Sequence, residues 1–215
     1  PKRSTLLAKQ RQKSMNSREW INTHPHTYAQ YKNQIDTIRA FGLRRRELTG
    51  GTSQNGRDGL GDRSLYQTKD GRLFAIVQGK GGKIRWTECR QDLQKEMKQI
   101  YHGKIRPISE RPKSKAEFRH NLKNNQPFYR SFDHNVPTHI HRANYAQHMI
   151  KQLNQHQFSG TKQKTIYYRN GIKANGKTRY SKGVKTINLH QNYRIGTYQA
   201  QYGAYYQLSK YMGHN

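Results

Sequence analysis

The sequence predicts an α+β domain, mostly helical, with a small three-stranded antiparallel sheet and a basic hairpin insertion. Three observations carry this reading. Apolar residues recur at helical spacing, as at Tyr28, Tyr31, Ile35, Ile38 and Phe41. The stretch from Ser64 to Cys89 reads as strands separated by Gly-containing turns. Residues 156–196 are rich in Gly, Lys and Tyr, with the turn signals Asn170-Gly171 and Asn175-Gly176.

In chain order, residues 1–16 are basic and polar without apolar periodicity, which suits an arm or linker. Thr27 to Phe41 is the first helix, ended or turned by Gly42, and Arg44 to Leu48 is a short helical turn beyond it. Gly50 to Gly61, rich in Gly, Ser, Asn and Asp, is a loop. Ser64 to Thr68 and Arg72 to Gln78 form a hairpin across Lys69-Asp70-Gly71, and Gly79 to Gly82 turns the chain into Lys83 to Cys89. Helices follow at about 90–102 and 113–123. Pro137 opens another, to about Gln155, because a proline at the first helical position loses no hydrogen bond. The last helix runs from about Thr197 to Met212.

Composition narrows the function. Against 12 Asp and Glu stand 41 Lys and Arg, a net charge of +29, which points to a polyanionic partner. Hydrophobic residues make up 31%, below the usual level of roughly 45–50%, so the core is small. Fifteen Tyr, two Trp and six Phe supply enough apolar area to fold it. Cys89 is the lone cysteine, so no intrachain disulfide forms and a reducing cytoplasm fits. The longest apolar run, Leu73 to Val77, is far too short to span a bilayer, and with no charged-then-apolar stretch at its start the chain is not expected to be secreted.

Four segments carry chemistry: Gly42-Leu43-Arg44-Arg45-Arg46-Glu47-Leu48, Gly79-Lys80-Gly81-Gly82-Lys83-Ile84-Arg85, His139-Ile140-His141-Arg142, and Tyr211-Met212-Gly213-His214. Breaking a phosphodiester without metal requires donors for the charge on the non-bridging oxygens, an activated nucleophile and a proton for the leaving 5′ oxygen. Arg44 and Arg142 suit the first task, since a planar guanidinium donates two parallel hydrogen bonds and stays charged. Lys80 suits the last. His139 lies one helical turn before Arg142 and shares its face, and His214 completes the ring. Arg45, Arg46, Lys83 and Arg85 are candidate DNA contacts.

Read together, these segments resemble the catalytic domain of the tyrosine recombinases, or phage-type integrases. The likeness implies that Arg44 binds phosphate with Glu47 in support, that Lys80 is the general acid, and that His139 and Arg142 form the second box and His214 the third. The interval of 98 residues from Arg44 to Arg142 is of the length the family uses. Three features depart from it: Ala143 stands where a second histidine is common, Arg142 to His214 spans 72 residues, and the nucleophilic tyrosine is expected downstream of His214. The resemblance implies metal-free, cofactor-free cleavage and rejoining of double-stranded DNA through a 3′-phosphotyrosine. It also implies a homotetramer on DNA, a monomer when free, and a bacterial cytoplasmic, nucleoid-bound location. Ending at Asn215, the chain is expected to be a fragment (1–16 arm, 17–215 catalytic domain, insertion 156–196) that binds DNA but is inactive alone.

Other readings compete. His139-Ile140-His141 spells the metal-binding pair of rolling-circle nucleases, which requires a strand where the sequence predicts a helix. His24 and His26 could ligate a metal but lack nearby carboxylates. In a second function class, the chain is a non-catalytic basic nucleic-acid-binding protein of ribosomal or packaging type, with cations for the backbone and tyrosines for stacking.

Overall fold

The computed structural model describes residues 16–50, 59–79, 82–172, 174–195 and 198–213. These divide into two compact units, the first running to Met149 and resuming at Ser209, the second Ile150–Leu208. The architecture is mixed α+β. Most of the expected 1–16 arm and of the Gly50 to Gly61 loop falls outside the described residues.

In the first unit, α1 (Ser17–Thr23) starts at Asn16, whose side chain accepts from the Glu19 amide while the Glu19 carboxylate accepts from the Asn16 amide. This reciprocal cap satisfies two donors that a helix start leaves unpaired. Helix α2 (Pro25–Phe41) opens on a proline and ends at Gly42, in the left-handed conformation with φ 61°. A side chain at Gly42 is barred twice, since its Cβ would also fall 2.3 Å from Cδ1 of the buried Tyr145. Gly42 therefore lets the end of α2 lie directly on α6 (Thr138–Leu153), the helix that carries Arg142.

Between these helices runs α3 (Arg45–Thr49), then β1 (Leu65–Gln67), β2 (Leu73–Gln78) and β3 (Ile84–Glu88). Those three pair antiparallel as the sequence predicts. The sheet, however, has four strands in the order β3-β2-β1-β4, because β4 (Arg106–Pro107) pairs in parallel with β1 at Tyr66 and Gln67. Two residues carry no periodicity to read, and proline is tolerated in an edge strand because it need not donate. A short 3-10 turn leads into α4 (Gln94–Ile100), and α5 is Lys115–Lys123.

Both faces of the sheet are covered. Leu65, Leu73, Ala75 and Val77 join Ile35, Ile38, Phe41, Leu43, Leu48 and Met97 in the main core, while Tyr66 and Ile76 pack with Phe118 of α5. Register puts Arg85 opposite Val77 and Thr87 opposite Ala75, on the main-core face. There the Thr87 hydroxyl donates to the Phe41 carbonyl, 2.7 Å away.

The second unit holds two hairpins where one insertion was expected: β5 (Thr161–Ile172) with β6 (Thr178–Asn188), and β7 (Asn192–Ile195) with β8 (Tyr198–Gln201). Helix α7 (Tyr202–Tyr211) thus starts later than the sequence reading placed it. Residues Tyr198 to Gln201 form a strand instead, with Ala200 buried and Gln199 exposed, the two-residue alternation of a half-covered strand. Among the described residues, no helix is long and apolar enough to cross a membrane.

Candidate functional site

Three guanidinium groups converge on one carboxylate in the first unit. Glu47 is the third residue of α3 and almost fully buried. Its Oε2 accepts from the Arg44 amide at 2.7 Å, fixing the start of the helix, and its Oε1 accepts from Arg44 Nη1 at 2.8 Å. Arg85 reaches the same carboxylate from β3, through Nε at 3.1 Å and through Nη2. Arg142 Nη1, from α6, lies 3.7 Å from Oε2.

Backbone carbonyls complete the cluster. The Gly42 carbonyl accepts from Arg85 Nη2 at 3.1 Å and from Arg142 Nη1. The Tyr211 carbonyl accepts from Arg85 Nη1. The Met212 carbonyl accepts from two arginines at once, Arg44 Nη2 at 3.4 Å and Arg142 Nη2.

Exposure sorts the three arginines. The Arg85 side chain is 4% exposed, Arg142 12% and Arg44 35%. Arg85 is the inner anchor, and Arg44 is the most exposed of the three. Burial, reinforced by the Arg85 and Arg44 charges, pulls Arg142 down to about 10, still charged at neutral pH. Burial pushes the Glu47 carboxyl up. The Arg85 hydrogen bond and charge, the Arg44 amide and the Arg142 charge outweigh that and hold it below its ordinary value. Three cations against one carboxylate leave two positive charges in excess, which an incoming anion would relieve.

Two glycines let the chain pass close to the cluster. A Cβ on Gly79, at the end of β2, would stand 3.1 Å from Glu47 Oε1 and 3.5 Å from Arg44 Nη1. A Cβ on Gly213 would stand 2.9 Å from Arg85 Cδ and 3.6 Å from Arg44 Nη1. Lys80 and His214 follow these glycines directly and lie outside the described residues.

The other candidates separate. His139 is exposed one turn before Arg142 and is not among the side chains touching the cluster. Arg46 and Lys83 are exposed. Arg85, expected to contact DNA, is instead buried in the cluster, so it acts on a ligand only through Glu47 and its neighbours. Arg45, another candidate DNA contact, has a structural role in the fold. Its guanidinium donates to the carbonyls of Phe132, Asp133, His134 and Val136 and lies over the Phe132 ring, tying down the loop that leads into α6.

His141 is buried on α6, its Nδ1 2.8 Å from the Ser17 hydroxyl and its ring edge-on to Trp20. It is a core residue, so the His139–His141 pair does not project from one strand toward a metal. Tyr145 and Tyr211 border the cluster, yet both are buried with committed hydroxyls. Tyr145 donates to the Glu88 carbonyl at 2.9 Å and Tyr211 to the Glu88 carboxylate at 2.7 Å. Neither is placed to attack an outside phosphate.

Sequence reasoning missed Arg85 as a cluster member, and it missed Gly42 and Gly213 as the residues that permit the close approach. A signal existed for Arg85, because it stands two residues before Thr87 and so shares its face of the strand. Comparisons of the chain with family models, with curated proteins and with solved structures find no match.

Proposed function

We propose that the Arg44–Arg142 pair binds one phosphodiester of duplex DNA, and that the chain is the catalytic domain of a tyrosine-recombinase-type enzyme that breaks and rejoins DNA without metal. The observation that carries this reading is the Met212 carbonyl oxygen, held by both guanidiniums as a non-bridging phosphate oxygen would be. The two excess charges make the pocket selective for anions, and Arg85 with Glu47 fixes its geometry.

In this reading, Arg44 and Arg142 neutralise charge growing on the non-bridging oxygens as a tyrosine phenolate attacks phosphorus. The P–O5′ bond breaks, Lys80 protonates the departing O5′, and the 3′-phosphate stays linked to the tyrosine. His139 and His214 serve as further donors or as acceptors of the phenol proton. Because the linkage conserves bond energy, attack by a 5′-hydroxyl reverses the step without ATP. The tyrosine belongs on a helix beyond His214, and the assembly on DNA is a homotetramer of subunits that are monomeric when free. The compartment is the bacterial cytoplasm, at the nucleoid.

The test is a covalent adduct. Duplex DNA is incubated in EDTA with protein that includes the tyrosine-bearing helix, then quenched in detergent. A 3′-linked adduct is expected, reduced about 10²–10³-fold by Arg44→Ala or Arg142→Ala, as for loss of one transition-state donor. Duplex affinity should stay within about threefold, because two charges are a small share of the electrostatic footprint. No adduct, or affinity falling in step with it, contradicts the reading.

The alternative, a non-catalytic basic nucleic-acid-binding protein, is favoured by the exposed tyrosines of the second unit. It predicts that Arg44→Ala and Arg142→Ala behave like any other loss of a basic residue.

A further inference from the structure

The β5–β6 ribbon presents one face that nothing within its own unit covers. Direct antiparallel partners lie on the same side of a ribbon, so the register assigns the faces. On one side Ile187 is buried, Lys162, Ile166 and Gly183 are half-buried, and Tyr168 lies across Gly183, where a Cβ would come within 2.6 Å of its ring. That side is covered only in part, since Tyr168 itself is 57% exposed and Lys164, Ser181 and Lys185 are exposed.

The other side is exposed along its length. Tyr167 stands opposite Lys182 and Arg169 opposite Tyr180, with Thr165 opposite Val184 next along the strands. Two tyrosines and two cations thus alternate in a two-by-two checkerboard. Tyr167 is 62% exposed, Tyr180 61% and Val184 67%. Tyrosine rings this exposed are costly to leave in water unless a ligand uses them.

We propose that this face is a duplex-DNA contact, inserting as a two-stranded ribbon into the major groove with its cations on the flanking phosphates. Charge selects the partner: residues 161–188 carry eight Lys and Arg and no Asp or Glu. Shape selects duplex over single strand. Single strands are held in concave, aromatic-lined grooves, whereas this element is a two-stranded ribbon, and the major groove is wide enough to admit one. At roughly 3.3 Å per residue, the twelve residues of β5 reach about 40 Å, a little over one turn of the double helix. The tyrosine hydroxyls offer donors to base edges or phosphates, and their rings pack on the sugar–base wall. The inference stands on the ribbon alone and holds whether or not the arginine cluster cleaves DNA.

The test measures binding of a labelled 30-base-pair duplex and of the matching single strand by fluorescence anisotropy over a salt series, using the whole chain. Two double variants, Tyr167→Ser with Tyr180→Ser and Arg169→Gln with Lys182→Gln, are compared with a charge-matched control, Lys104→Gln with Lys115→Gln, at exposed positions of the first unit. All six positions are exposed, and an unchanged Tm confirms that each variant folds. The tyrosine pair should weaken duplex binding about tenfold with an unchanged salt slope, which a general loss of field would not do. The cation pair should flatten the log–log salt slope by about 0.9 per charge removed, and lower duplex affinity more than the control does. A larger loss on the single strand than on the duplex overturns the proposal in favour of a single-strand platform. Unchanged DNA binding overturns it too, and a simultaneous change in sedimentation-measured self-association would identify the face as a subunit contact.

Discussion

Arg44 and Arg142, which enter from one helix start and from the second turn of a different helix, donate to one oxygen atom, the carbonyl of Met212. A peptide carbonyl carries only a partial charge, so a phosphate oxygen should replace it readily. Phosphate or sulfate is therefore expected to raise the wild-type Tm at constant ionic strength, in proportion to occupancy of the folded state. Arg142→Ala should abolish the shift. A shift of equal size in the variant would place the bound anion elsewhere on the basic surface.

Glu47 balances a buried Arg85. Glu47→Ala leaves that guanidinium with only carbonyl partners in the interior, and breaking such a pair costs about 3–5 kcal/mol. Urea denaturation should show the loss. Arg46→Ala, at the adjacent and exposed position, is the control and should change stability by less than about 0.5 kcal/mol. Equal effects would mean that the carboxylate does not organise the cluster.

Gly42 is under two constraints and Gly103 under one. Both have positive φ, but a Cβ on Gly103 meets nothing within 4 Å, while one on Gly42 strikes Tyr145. Gly103→Ala should cost about 1–2 kcal/mol from backbone strain alone. Gly42→Ala should cost about 1–3 kcal/mol more from overpacking, and should weaken anion binding by pushing α2 away from Arg142. The difference between the two unfolding free energies checks this.

His141 makes stability depend on pH. Burial, with the Arg39 charge adding to it, lowers its pKa from 6.5 to about 4, so the folded state keeps the ring neutral. A lowered folded pKa means that stability is full above pH 6.5 and is lost as pH falls toward 4. The loss is at most about 3 kcal/mol for a shift of this size. Glu47, also lowered, adds its own loss below its ordinary carboxyl range. His141→Gln should flatten the decline between pH 6.5 and 4.5 as measured by thermal unfolding. An unchanged profile there would assign the loss to other groups.

Sequence periodicity located the longer helices, such as α2 and α6, where a 3.6-residue repeat has room to show, but it missed α1, whose seven residues are too few for the repeat to stand out. It failed at β4 and β8, where two and four residues are too few to distinguish a strand from a loop or a helix start. For the site, the bracketing motifs named Arg44, Glu47 and Arg142, whose side chains the fold brings to one point. Arg85 was misread for a physical reason. A basic residue just past a turn is normally solvated, and only the covering of both sheet faces turns it inward to Glu47. Arg45 shows the same limit, since four carbonyls brought close by a loop some ninety residues away leave no local pattern.

The most direct measurement is a crystal structure of the protein with vanadate or phosphate beside a nicked duplex. The account predicts one tetrahedral anion with oxygens about 2.7–3.2 Å from guanidinium nitrogens of both Arg44 and Arg142, and the Met212 carbonyl displaced. An anion bound elsewhere on the basic surface, with the two arginines still closed on Met212, would contradict it.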